Sequence, residues 1–455
     1  MKKIGMLKAI RLTSAYRKLS LDEREALRQE RLKALVNYAK SKSPYFKNLY
    51  GDLKEDFTIQ DLPVTNKSDM MQHFDDWVTD RDVHLSDILE FMKNLDNVGR
   101  KYKGKYLIFT TSGSTGNPSI VLYDKTAKNV LDAISIMRAY ARKEDMKEFI
   151  KRGGKSAGVY ATGGFYLSNS SIRNKQLMMP WKKKQIMVTS ILNPMEKIVE
   201  ELNRFQPAML GGYTTALELL ADEQKIGNLK ISPMITMTGG EYLSDSTRSL
   251  LKDTFNCYVQ TGYTCTEGGS VSCECRYQHF HINDDWTIME PVDKDNRPVS
   301  EGELADKWLL TNLSNFTQPY IRYEITDRII LHKEGCACGN PSHWLEIEGR
   351  TDDILTFTAG SGKEMKIAPL ALYAILKEVH EIKRFQLILH ADNKLELRMV
   401  CENAEERKTA FEKARLAVSD YLKTNGIENI SWQLSEKEPE RNPISGKYKH
   451  IYKEI

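Results

Sequence analysis

Short apolar runs separated by amphipathic stretches fill most of this chain, and alternating apolar and polar positions take over toward its end. Ser20-Leu21-Asp22-Glu23 is a capping box that opens a helix to about Lys40, with Leu27, Leu32, Leu35 and Val36 on its apolar side. Ser43-Pro44 ends it. Between about 106 and 330, the runs 157–161, 184–190, 208–211 and 234–238 read as strands separated by helical segments, which argues for mixed α/β layers. The stretch 195–205 contains no Pro or Gly, follows Asn193-Pro194 and precedes Gln206-Pro207, and so predicts one amphipathic crossover helix.

After Gly349-Arg350 the texture changes. Segments 384–390 and 394–401 alternate around Ala391-Asp392-Asn393 as a β-hairpin would. A charged amphipathic helix over 404–424 closes at Asn425-Gly426, and 430–434 offers one more strand. The chain's 455 residues exceed what one hydrophobic core usually organises. The pattern therefore predicts two domains, a large multi-layer α/β domain over 1–349 and a small α+β domain over 350–455.

Composition narrows the function classes. Hydrophobic residues at 41% and charged residues at 28% fit a soluble globular enzyme. A net charge of +4 from 66 basic and 62 acidic side chains gives no reason to expect nucleic acid. Lys182-Lys183-Lys184 is the densest basic cluster and reads as a solvated loop, with a groove for an anionic cofactor tail as its functional alternative. Lys8 and Arg11 interrupt the N-terminal apolar residues, so no signal peptide is expected, and no run approaches the ~20 apolar residues that cross a bilayer. Seven cysteines, an odd number, predict reduced thiols and a cytoplasmic location.

The first candidate chemistry is the turn Thr110-Thr111-Ser112-Gly113-Ser114-Thr115-Gly116-Asn117-Pro118, directly after the apolar run 106–109. Its glycines let backbone N–H groups converge on an anion and its hydroxyls add neutral donors, although the same residues also make ordinary turns. Four segments follow in order: Tyr263-Thr264-Cys265-Thr266-Glu267-Gly268, Arg322-Tyr323-Glu324-Ile325-Thr326-Asp327, Gly349-Arg350-Thr351-Asp352-Asp353 and Ser445-Gly446-Lys447. In this order and spacing they resemble the core motifs of the adenylate-forming superfamily. Within it, Leu62-Pro63-Val64-Thr65-Asn66-Lys67 and the paired cysteine clusters resemble the phenylacetate-CoA ligase branch and its capsule-associated relatives.

The resemblance runs from about residue 20 to the end and implies a role for each motif. Ser112, Gly113, Ser114, Thr115 and Gly116 would hold the ATP phosphates; Ser119 stands where many members carry a lysine. Thr266 and Glu267 would meet the α-phosphate and Mg2+, a hard cation that seeks oxygen ligands. The ordinary reading of that pair is the first turn of a helix. Tyr263, Gly240 and Glu241 would border the adenine, with Thr264 where many members have glycine. Asp327 would accept from the ribose hydroxyls, Arg350 would contact ribose or phosphate, Asp352 would be the hinge, and Lys447 would bridge substrate carboxylate and α-phosphate.

Cys273-Glu274-Cys275, His279, His281 and Cys336-Ala337-Cys338 offer thiolate and imidazole ligands suited to a tetrahedral, structural Zn2+. By resemblance the set is Cys275, His281, Cys336 and Cys338, with Cys273 and His279 as alternates. Taken together, the resemblance implies a cytoplasmic acid–thiol ligase that uses ATP and Mg2+ to form an acyl-adenylate and then passes the acyl group to a thiol, by default CoA. A carrier-protein thiol would use the same chemistry, and a homodimer is left open. The stretch Tyr160-Ala161-Thr162-Gly163-Gly164-Phe165-Tyr166 is either an aryl-acid pocket or a buried strand end. The rival class is a non-catalytic nucleotide-binding scaffold.

Overall fold

The structure, a computed structural model, describes residues 4–111, 118–333, 335–350, 354–359, 363–367, 369–443 and 448–454. These fall into two compact units, one formed by 4–325 with 330–346 and the other by 326–329 with the described part of 347–454.

In the first unit, five parallel strands lie in the order Ile186–Ser190, Ser156–Tyr160, Met209–Gly212, Ile235–Thr238 and Tyr258–Cys265. Crossover helices Leu167–Met178, Met195–Phe205, Thr214–Lys225 and Asp245–Phe255 alternate with them along the chain. The helix 195–205 buries Ile198, Val199 and Leu202 against Val159, Leu210 and Leu217, and Gln206 ends it in the left-handed region at φ 52°. The sheet then turns antiparallel through Gly269–Glu274 and Phe280–Ile282, with Trp344–Arg350 alongside. The change of direction follows from connection length. A tight turn can join only antiparallel strands, whereas each parallel step needs a helix.

The expected strand over 184–190 begins only at Ile186, because Pro180 opens a 3-10 helix that runs to Gln185. The capping box at Ser20 forms, with the Ser20 N–H donating to Glu23 at 2.7 Å and the Glu23 N–H donating to Ser20 Oγ at 3.2 Å. Another helix, Met6–Tyr16, precedes it. Both N-terminal helices meet the segment after Phe280–Ile282: Arg31 stacks over Trp286 at 3.7 Å, and Trp286 Nε1 donates to Thr13 at 3.1 Å.

The second unit has a four-stranded sheet in the order Ser431–Leu434, Lys394–Val400, Arg384–Leu389 and Ile451–Lys453. The central pair is the antiparallel hairpin expected from alternation, and both outer strands run parallel to their neighbours. Helix Ala404–Thr424, capped by Asn403, buries Ala410, Ala414, Val418 and Leu422 in the same core as Phe385, Leu387 and Leu397.

Candidate active site and metal centre

The strand pair Leu107–Thr110 and Ile120–Tyr123, on either side of the glycine-rich segment in sequence, is buried along its whole length. Thr111 and Ser119 bond to each other, through Thr111 N to Ser119 O at 3.1 Å and Ser119 N to Thr111 Oγ1 at 2.8 Å. Ser112 to Gly116 themselves lie outside the described residues, as do Asp352 and Lys447.

Thr266 and Glu267 occupy the turn between Tyr258–Cys265 and Gly269–Glu274, so the pair sits on a β-turn and not in the first turn of a helix. Gly269 has φ +69°, and a Cβ there would approach the Tyr123 hydroxyl to 3.0 Å, so the tightness of the turn requires glycine. The turn is anchored from behind by its own carbonyls. Buried Asn312 donates to Glu267 O at 2.8 Å, and Tyr123 OH donates to Thr266 O at 3.3 Å. The Glu267 side chain is buried, and burial reinforced by its charge holds the phenols of Tyr123, Tyr320 and Tyr323 protonated far above the usual range. A carboxylate set among neutral phenols is a hard-oxygen ligand in a low-dielectric setting, which suits Mg2+.

Tyr263, on the strand entering this turn, lies edge-on to Trp308 with centroids 6.1 Å apart and accepts the indole N–H at 3.1 Å. Gly240 takes φ +77° after strand Ile235–Thr238, and the Glu241 carboxylate accepts from Thr215 N at 2.9 Å and Thr215 Oγ1 at 2.8 Å. The Glu241 side chain therefore caps the first turn of helix Thr214–Lys225. The early Leu62-to-Lys67 segment and the Arg322 motif, far apart in sequence, are brought together: Thr65 N donates to Arg322 O at 3.0 Å and Glu324 N to Thr65 O at 2.9 Å. Asp327 opens strand Asp327–His332 and Arg350 ends strand Trp344–Arg350. Tyr160 packs edge-on against Tyr213 at 5.5 Å and Phe165 is buried beside Phe91, while Tyr160 and Tyr166 stay half-buried and Gly163 is exposed.

The four residues expected as metal ligands come together as a set. Cys275, His281, Cys336 and Cys338 place their ligand atoms within 4.8 Å of one another. Register does this: Cys275 follows strand Gly269–Glu274, His281 lies on its hairpin partner, and Trp344 pairs with His281 from the far side. Cys275 Sγ and Cys336 Sγ are 3.8 Å apart, and Cys338 Sγ lies 3.2 Å from His281 Nε2. Sulfurs about 2.3 Å from a tetrahedral Zn2+ would stand about 3.8 Å apart, so the donor set fits that ion.

His281 Nδ1 donates to Ser342 O at 2.8 Å, leaving Nε2 as the lone-pair nitrogen that faces the cysteines. Backbone N–H groups of Tyr277, Cys338 and Asn340 donate to the sulfurs of Cys275, Cys336 and Cys338 at 3.4, 3.4 and 3.3 Å. Without a cation, burial pushes the Cys275 and Cys338 thiols up, the latter to about 12; a divalent ion reverses that balance. Of the alternates, Cys273 faces Ser270 and Asn283 at 3.7 and 3.8 Å and stands outside the cluster. His279 Nδ1 reaches Cys336 Sγ at 3.3 Å, with its ring stacked on Trp344 at 3.9 Å. The carbonyl anchors Asn312 and Tyr123 carried no sequence signal, because both read as residues of apolar strand runs.

Comparison with known proteins places this fold among solved structures. The chain has the fold of the adenylate-forming ligases. A 2-hydroxyisobutyryl-CoA ligase in its postadenylation state, in complex with 2-HIB-AMP, superposes with a TM-score of 0.70 at 18% identity over 96% of this chain and 90% of that one. The same ligase with 2-HIB-AMP and CoA in the thioesterification state gives 0.58 at 16% identity, over 97% and 91% of the two chains. In sequence, the chain is 24% identical to a phenylacetate-coenzyme A ligase of Thermus thermophilus over 395 residues, which is 83% of this chain and 81% of the relative. It is 25% identical to protein CapK of Staphylococcus aureus over 317 residues, 68% of this chain and 63% of CapK. Its similarities therefore lie with the phenylacetate-CoA ligase and CapK branch of the superfamily. No family model matches.

Proposed function

We propose that this protein activates a carboxylic acid with ATP to an acyl-adenylate and transfers the acyl group to the thiol of CoA. The observation that carries the reading is the buried Glu267 carboxylate on a turn fixed by Asn312 and Tyr123, in a chain similar to phenylacetate-CoA ligase over 83% of its length. In the first half-reaction the substrate carboxylate oxygen bonds to the α-phosphorus and pyrophosphate leaves; in the second, the thiol sulfur attacks the acyl carbon and AMP leaves. Positioning and charge neutralisation do most of such chemistry. Thr266 would touch the α-phosphate and Glu267 would hold Mg2+, whose charge offsets that of the phosphates. Residues 112–116 would cradle the β- and γ-phosphates, Asp327 would fix the ribose, and Lys447 would stabilise the charge that builds during adenylation. The second unit would act as the lid, with the hinge at Asp352.

We further propose a structural Zn2+ held by Cys275, His281, Cys336 and Cys338, because four protein ligands leave no open position for catalysis. Release of AMP and pyrophosphate should match acyl-CoA formation across a panel of carboxylic acids. ATP turnover that ignores both acid and CoA would sink this reading.

A further inference from the structure

One surface is unused by the proposed chemistry. Residues 149–195 contain eight lysines and arginines and no aspartate or glutamate, twice the +4 net charge of the whole chain. Within this segment, helix Leu167–Met178 turns directly into the 3-10 helix Pro180–Gln185. At that corner Trp181 is 75% exposed, Met178 58% and Leu177 48%. Lys182, Lys183 and Lys184 are exposed beside them, and among the described residues none of the three forms an ion pair. The corner is built, not frayed: Gln176 Nε2 donates to Ile186 O at 2.9 Å and Asn174 Nδ2 to Gly99 O at 2.9 Å. Large apolar side chains are thus displayed at a fixed position next to a dense positive charge.

We propose that this corner docks the protein on an anionic lipid surface, with Trp181, Met178 and Leu177 entering the headgroup region and Lys182, Lys183 and Lys184 meeting lipid phosphates. An indole prefers the membrane–water boundary, and clustered lysines beside it supply the electrostatic attraction to anionic lipid. A second copy is a poor occupant, since a two-fold contact would set one lysine triplet against another. A soluble phosphate ligand would leave the tryptophan uncovered. This contact lies on the membrane and needs no spanning segment; no described helix is long and apolar enough to cross a bilayer.

The test is co-sedimentation of the full chain with vesicles of phosphatidylcholine containing about one third phosphatidylglycerol, against phosphatidylcholine alone. Binding should require the anionic lipid and fall as salt rises. Replacing Lys182, Lys183 and Lys184 together by Gln should weaken it roughly a hundredfold, from about fivefold per lysine. Trp181→Ala should weaken it at every salt concentration, and both variants should keep wild-type thermal unfolding and lipid-free turnover. Wild type that ignores anionic vesicles at low salt, or a triple variant that binds as wild type does, would overturn the proposal. So would a soluble acidic protein captured through these lysines in preference to vesicles, which would reassign the surface to a protein partner.

Discussion

The metal knuckle and the Glu267 turn lie on the same antiparallel stretch of sheet yet are held in opposite ways. In the knuckle the side chains converge, with four ligand atoms within 4.8 Å and backbone N–H groups directed at the sulfurs. At the turn the main chain is anchored, with the carbonyls of Thr266 and Glu267 taken by Tyr123 and Asn312. A cluster of four ligands that closes on an ion would contribute stability and leave no position for a substrate. A turn anchored by its carbonyls keeps its side-chain geometry for chemistry. Mutations should therefore separate the two regions cleanly, one altering metal content and folding and the other altering turnover.

Lys447→Ala should have the largest effect. Loss of a charge that acts only while negative charge builds on the α-phosphate lowers adenylation by roughly 10²–10³. Thioester formation from supplied acyl-adenylate and thermal unfolding should both stay near wild type. Equal loss in the two half-reactions would remove this lysine from the mechanism.

Cys336→Ser should produce the opposite pattern. Zinc measured after gel filtration should fall from about one ion per chain to almost none, and thermal stability should drop with it. A variant that keeps a full complement of zinc would show that the ligands lie elsewhere, with His279 the first alternative because its Nδ1 is 3.3 Å from Cys336 Sγ.

Acid offers a way to disturb the second unit by itself. Burial among Tyr373, Phe385 and Tyr448 lowers His450 from its usual 6.5 to about 3. Between those values the unfolded chain binds a proton that the folded chain does not, so the stability of the second unit falls as pH drops through 6.5 toward 3. At pH 5 the loss is roughly 2 kcal/mol. His450→Phe should flatten that slope in pH-dependent unfolding, and an unchanged slope would assign the sensitivity to other groups.

Asn312→Ala should have a smaller effect, on the turn alone. An unsatisfied Glu267 carbonyl loosens the carboxylate, raising the Mg2+ needed for half-maximal adenylation roughly tenfold with zinc content unchanged. A Mg2+ titration that superposes on wild type would limit Asn312 to packing.

Local signals carried much of this architecture. The capping box at Ser20, the crossover helix Met195–Phe205 and the hairpin around Ala391-Asp392-Asn393 were legible because each depends on residues adjacent in sequence. The strand expected from 184 failed at its start, where Pro180 committed the next residues to a 3-10 helix. The order of the motifs exposed the chemistry, but not what positions it. Asn312 lies 45 residues from Glu267, and the Thr65 bond to Arg322 spans more than half the chain, so neither leaves a pattern in a local window. The bond from the Glu241 carboxylate to Thr215 is likewise a contact that only the fold creates. The substrate acid left no local signature; in the aromatic stretch Tyr160 packs against Tyr213 and Phe165 against Phe91, contacts made by residues distant in sequence.

The central claim is that a carboxylate attacks the α-phosphorus of ATP on this protein. Carboxylate-dependent exchange of labelled pyrophosphate into ATP, measured without any thiol, tests it most directly. The account expects no exchange without acid, rapid exchange with at least one carboxylic acid of a broad panel, and diversion to acyl-CoA and AMP once CoA is added. ATP binding at full occupancy with no exchange for any acid, in protein that retains its fold, would contradict it.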